Sequence, residues 1–441
     1  LGSLVINSDG KYNATSGTTT ITSEGDGSGG SSNGFALDKH ASGTFAHNSG
    51  TVTVTTNTNT VFRGFEGTDT SGTGANALNN LIVNLTGSAT YYVRLRSNSG
   101  TAHTILGDLT VTQGKLEKET NDHTLTINGN VSVGANGTLG HADKTGNDSF
   151  GSLTIASGGT AIATSGTTTI TKDDTGQFIY ETISGATFTH NSGTLTITGD
   201  GRVKPRAGTG NFNNVILNSS GNTIEQGADT TIDNDLTITA GEWSTGYSGF
   251  GNSNLTVTGD ASVTGTLTGN TSLVSLGSLT INSGGTYNAT SGTTTITDIE
   301  SGASRSVLNS GTLTHNSGTF LFNGAMDQKV STNSTGRFNN ITLNKSNNDF
   351  VFIDSSTTVE GNLDITMGDN TRQCRPSSTS GTITVLGNVI VREGIMLRAA
   401  NDCSGNMEFG GLILESGGIY GTTSGTTKIN GVLRNIGGTI N

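Results

Sequence analysis

The side chains here that could do chemistry are seven histidines, two cysteines and thirty-four carboxylates, and their spacing limits what they can do. His47, His190 and His315 each open an HNSGT segment, while His40, His103, His123 and His141 are scattered. Six or so stacked coils would set the repeat-related histidines roughly 30 Å apart. Metal ligands must lie about 2 Å from one ion. The three therefore read as turn residues that bond a neighbouring coil. Acidic residues follow each TTTIT motif: Glu24 and Asp26, Asp173 and Asp174, then Asp298 and Glu300. Calcium takes about six to eight oxygen ligands, but the spacing differs among copies and no D-x-D-x-D-G loop occurs. They read as solvated loop charge, with calcium as the alternative.

Glycoside hydrolysis needs two carboxyl groups about 5–9.5 Å apart. Asp229, Asp233 and Asp235 form one candidate set, and Asp354 and Glu360 with Arg372 another. Each set sits in a repeat-related segment whose counterparts lack matching charges. No catalytic, cofactor-binding or metal-binding set is assigned, and the chain reads as a non-enzyme without a cofactor. Cys374 and Cys403 lie 29 residues apart, one or two coils. A disulfide pinning neighbouring coils is the expectation, with two separate buried thiols as the alternative. Thr-x-Thr pairs such as Thr51-Val52-Thr53 suit a flat ice-binding face, yet they do not recur on every coil.

The elements that must carry these residues are legible from composition and repetition. Among 441 residues there are 67 Gly and 2 Pro, and only 13% are charged. Such a chain could be disordered, but its sparse apolar residues alternate regularly with Thr, Ser and Asn, as in Leu153-Thr154-Ile155. Period-two alternation marks strands with one buried face. Helix formers are sparse. The class is all-β.

Self-comparison organises the chain. GSLVINSDGKYNATSGTTTIT (2–22) returns as GSLTIASGGTAIATSGTTTIT (151–171) and GSLTINSGGTYNATSGTTTIT (277–297), with a divergent fourth copy from Gly410. HNSGT, then LNNLIVN, FNNVILN or FNNITLN, then GDLTVT, NDLTIT or GNLDIT follow in the same order. Late in each unit come LTINGNVSV, LTVTGDASV and ITVLGNVIV. The super-repeats are 1–150, 151–276 and 277–409, with 410–441 beginning a fourth. Short strands broken by S-G-G-T and N-S-G-T corners favour a parallel β-helix (β-solenoid), right-handed by base rate, over tandem sandwiches. Coils of roughly 20 residues stacked about 4.8 Å apart would form one continuous rod on the order of 100 Å long. Asn79-Asn80, Asn213-Asn214 and Asn339-Asn340 are expected at turns, where Asn tolerates left-handed backbone. Phe212, Phe338 and Leu78 are expected to fill the core just before them.

TSGTTTIT, T-HNSGT, FNN-[VI]-x-LN and D-L-T-[IV]-T resemble repeats of long surface or tail-fibre-like appendage proteins of marine bacteria and their phages. The resemblance covers nearly the whole chain and implies surface display and a β-helical shape. It carries over no catalytic residues. A net charge of −12 with scattered Lys and Arg argues against nucleic-acid partners. No apolar run approaches the roughly 20 residues that span a bilayer. Near-absence of cysteine suits an extracellular setting on a virion or cell surface. The chain opens on Leu1 and reads as an excerpt of a longer parent. Its partners are expected to be that parent or other copies of itself, head-to-tail or trimeric, with cell-surface glycan as a further candidate and no small ligand. The expected function is a structural or adhesive shaft. A tailspike-like glycan-degrading enzyme, or a specialised binder of cell-surface glycan, ice or calcium, is the alternative.

Overall fold

The alternation of Thr with Ile, Val or Leu builds strands directly. In Thr167–Ile170 and Thr293–Ile296 the second and fourth residues point inward and the first and third stay half-exposed. β-Branched residues fit this pleated, half-buried setting. A computed structural model describes the chain except residues 24–33, 66–76, 97–101, 120–122, 141–142, 207–209, 248–250, 303–304, 333–335, 347, 353–355, 369–371, 377–381, 397–404 and 422–423. Among the described residues there is no helix. Parallel strands stack in about 15 turns, which makes the fold a β-solenoid. The one antiparallel pairing among the described residues joins Gly246–Tyr247 to Gly251–Asn252.

The chain forms two compact units, Leu1–Ile216 and Leu217–Asn441. In the first unit three parallel ladders run in register. One stacks Ile105, Ile127, Phe150, Ile170 and Ile197 on successive rungs. A second stacks Ile21, Val54, Val83, Val111, Val133 and Ile155. The third includes Leu116, Leu139, Ala161 and Phe188. All of these side chains are buried. Burial of each is worth roughly 1.5–3 kcal/mol for a Val, Leu, Ile or Phe.

The second unit repeats the plan. Val257, Leu276, Ile296, Phe322, Leu343, Ile365, Val391 and Leu414 form one inward column. Trp243, Leu267, Tyr287 and Leu313 form another. Aromatic rings thicken the core locally: Phe320 meets Phe338 at 4.9 Å and Phe322 meets Phe350 at 4.8 Å, both edge to face. Such pairs add about 0.5–1.5 kcal/mol beyond area burial.

Rung length departs from the uniform coil of roughly 20 residues expected from the corner spacing. Leu276, Ile296 and Phe322 are register neighbours 20 and 26 residues apart, and Thr18 and Thr51 are 33 apart. The ladders fix only the strand residues. Connections between strands can lengthen at small entropic expense without disturbing the stack.

Candidate functional site

The repeated motifs that looked like separate features are successive rungs of one face. Thr18 of TTTIT pairs with Thr51 of HNSGT, which pairs with Asn80 of LNNLIVN. Next to it Leu81 pairs with Leu109, Leu109 with Val131, and Val131 with Leu153. The same path in the second unit runs Thr293, Thr319, Asn340, and beside it Ile341, Leu363, Val389, Leu412. Motif order along the chain is therefore rung order along the stack.

Two stacked corners flank this face. At the first, each HNSG segment makes the same turn. His47, His190 and His315 accept the backbone N–H of Ser49, Ser192 and Ser317 at Nδ1, at 2.9, 3.0 and 3.0 Å. The Asn and Ser of each turn have positive φ, 46° and 58° at Asn48 and Ser49, and 45° and 60° at Asn316 and Ser317. Left-handed backbone is uncommon outside Gly, and short polar side chains that bond locally tolerate it best. Asn48 Nδ2 also donates to the Ala14 carbonyl at 2.7 Å, and Asn316 Nδ2 to that of Ala289 at 2.8 Å. So the histidines hold their own turn, and the following asparagines reach the neighbouring rung.

The asparagine pairs are corrected in one respect. None of Asn79, Asn80, Asn213, Asn214, Asn339 or Asn340 has the left-handed backbone expected of them; that geometry belongs to the HNSG turns. The first asparagine of each pair instead donates to the rung beneath. Asn79 Nδ2 reaches the Gly50 carbonyl at 3.4 Å, Asn213 that of Ser192 at 3.0 Å, and Asn339 that of Ser317 at 2.8 Å. Phe212, Phe338 and Leu78 before them are buried.

The second corner is a polar side-chain ladder that starts from the second asparagine. Asn80 Oδ1 accepts the Asp108 N–H at 2.8 Å, Asp108 Oδ1 the Asn130 N–H at 2.7 Å, and Asn130 Oδ1 the Ser152 hydroxyl at 2.8 Å. In the second unit Asp235 accepts the Asp260 N–H at 2.8 Å, and Asp260 the Ser278 hydroxyl at 2.7 Å. Further along, Asn340 accepts the Asn362 N–H at 2.9 Å and Asn362 that of Asn388 at 2.8 Å. A glycine precedes most steps because the acceptor below occupies its side-chain space. A Cβ on Gly361 would lie 2.2 Å from Asn340 Oδ1. Sequence reading missed this ladder. Its signal was Gly followed by Asn, Asp or Ser and then Leu or Val: Gly107-Asp108-Leu109, Gly129-Asn130-Val131, Gly361-Asn362-Leu363 and Gly387-Asn388-Val389.

The carboxylates considered for catalysis or calcium are placed as follows. Asp235 belongs to the ladder, and Asp229 Oδ1 accepts the Asn254 N–H at 2.8 Å. Asp233 is exposed. Glu360 is bound by Arg337 at 2.9 Å and by His315 Nε2 at 3.1 Å. Arg337 first, then His315, holds its carboxyl below the usual range. Arg372 lines an open cleft of about 380 Å³ with Ile299, Met326, Asp327, Lys329 and Asn348, a set that does not include Glu360. Asp354 lies outside the described residues, as do Glu24, Asp26 and His141. Asp173 accepts the Asp200 N–H at 3.0 Å, Asp174 pairs with Lys172 at 2.7 Å, and Asp298 accepts the Ile299 N–H at 2.9 Å. Among the described residues no three His, Cys, Asp or Glu gather around one point that could hold a metal ion.

Cys374 is fully buried, stacked on Phe350, and burial pushes its thiol well above the ordinary value. Its expected partner Cys403 lies outside the described residues. Three lysines among the described residues, Lys39, Lys118 and Lys345, are interior, which the sequence did not announce. Lys345 Nζ donates to the Gly324 and Met326 carbonyls and to Gln328 Oε1, at 2.8, 2.9 and 2.9 Å. Burial lowers it to about 8, against the opposing pull of Asp327 and Asp349. Lys118 pairs with Asp148 inside the first unit. Comparison with protein-family models, with curated proteins and with solved structures found no match to this chain.

Proposed function

We propose that this chain is a non-enzymatic structural or adhesive segment of an extracellular appendage, on a virion or a cell surface, acting as a stiff spacer. The observation that carries the reading is the polar corner ladder. Asp229 and Asp235, which could have served chemistry, each accept a backbone N–H from the next rung. Their oxygens are committed to holding rungs together. Outward charges follow the same rule and pair across rungs, as in Asp38–Arg63, Arg94–Glu117 and Asp364–Arg392. Exposed pairs of this kind are worth only about 0–1 kcal/mol each, but opposite signs in register disfavour slipped pairings.

Stability in a stack of this type accumulates from nearest-neighbour interfaces. Resistance to bending and a small-residue polar surface suit reach rather than turnover. Self-association or joining to a longer parent chain is the partner class that fits. Immunogold electron microscopy of the producing cells or particles is the test. Label on surface-attached filaments is expected. Label confined to the cell interior, or release of sugars from surface polysaccharide by the purified chain, would overturn the proposal.

A further inference from the structure

The interior of the first unit holds a charged pair outside both corner ladders. Lys118 ends the strand Leu109–Lys118, and Asp148 opens the strand Asp148–Ile155. Nζ lies 2.7 Å from Oδ1, with the two side chains 0% and 1% exposed. The register fixes both ends, since Lys118 stacks on Leu95 and Asp148 lies between Leu125 and Thr168. Nζ also donates to the His123 carbonyl at 2.8 Å, and the same Oδ1 accepts the Leu125 N–H at 3.1 Å. The buried rings of His103 and His123 meet edge to face at 5.9 Å on the same rungs.

We propose that Lys118 and Asp148 condense into an intramolecular amide, a covalent cross-link between rungs. The proton moves from Nζ to the carboxylate, and the freed lone pair attacks Asp148 Cγ. The tetrahedral adduct collapses as its hydroxyl leaves with a second proton from nitrogen. One C–N bond forms, one C–O bond breaks, and one water departs. Ammonium plus carboxylate gives amide plus water, so atoms and charge balance without any oxidant, reductant or co-reactant. The Leu125 N–H fixes Oδ1, the carboxyl oxygen in contact with Nζ. Rungs that hold the partners at contact distance supply the orientation such a step needs. Exclusion of bulk water from the site opposes the reverse hydrolysis.

The bond would close a 30-residue loop and be indifferent to reductant. Intact-mass measurement of the full chain, purified and then denatured, is the test. The expected mass is one water below the sum of the sequence, and peptide mapping should return a branched peptide joining residues 118 and 148. Lys118→Arg, which keeps the charge but has no condensing amine, should restore the full sequence mass. A wild-type mass equal to the sequence sum would overturn the proposal, whatever the variant does. So would loss of water with Lys118 and Asp148 recovered in separate linear peptides.

Discussion

Replacing Gly318 by alanine should destabilise the second unit by about 3 kcal/mol, through a clash between rungs and not through backbone strain. Gly318 does not have positive φ. An ideal Cβ there would sit 2.0 Å from the Thr290 carbonyl oxygen and 2.9 Å from that of Gly292. Real Cβ contacts essentially never fall below 3.0 Å, so the rungs must part by about 1 Å at that corner. They are pinned there by Thr319 N–H to the Gly292 carbonyl at 2.9 Å and by Asn339 Nδ2 to the Gly318 carbonyl at 3.3 Å. Overpacking of this kind costs roughly 1–3 kcal/mol, and each stretched hydrogen bond loses about 1 kcal/mol more.

Gly302→Ala is the control. Gly302 has φ of +85° with nothing within 4 Å of the added carbon, so only the strained backbone remains. That costs about 1 kcal/mol. Urea unfolding followed by Trp243 fluorescence reads both variants. Trp243 is fully buried in the same unit and donates to Gln226 at 2.7 Å. Far-UV circular dichroism recorded alongside would show whether the unit melts as a whole. If Gly302→Ala costs as much as Gly318→Ala, or Gly318→Ala is neutral, close rung stacking is not what the HNSG glycine serves.

Three further outcomes follow from the same geometry. Asn362→Ala removes the acceptor for the Asn388 N–H at 2.8 Å, and should cost about 1–2 kcal/mol in urea melts; Asn362→Asp, which keeps an acceptor, should recover most of it. Glu360 is held below the ordinary glutamate value of 4.5, chiefly by its hydrogen bond from Arg337. A depressed carboxylate stabilises above its unfolded value and loses that contribution as pH falls through the folded one. The acid limb of the stability profile below pH 4.5 should therefore flatten in Glu360→Gln, and an unchanged limb would rule this out. Lys345 shows the opposite case. Its folded value of about 8 lies below 10.5, so the unfolded chain binds more protons between these limits and stability rises with pH across them. Lys345→Met should abolish that rise, as measured by melting temperature across the window.

Much of the fold was legible because strand and corner chemistry are local. Alternating Thr and Ile signal a half-buried strand wherever they occur, and HNSGT signals a tight turn from its own atoms. What each corner residue touches was not legible, because its partner lies a full rung away in sequence. Asn80 and Asp108 are 28 residues apart, and neither is unusual by type. The asparagine pairs read as turns from composition, yet their amides are spent on the rung below.

By itself the sequence determined the all-β class, the parallel repeat and the order of its motifs, since these follow from periodicity and from repetition. Tertiary structure alone decided that successive motifs lie one above another, and that the candidate carboxylates Asp229 and Asp235 accept backbone N–H groups. It also decided that Lys118 faces Asp148 out of solvent. Register is the physical reason. A contact between rungs depends on how many residues each coil spends on its connections, and that count varies from rung to rung while the strands stay aligned.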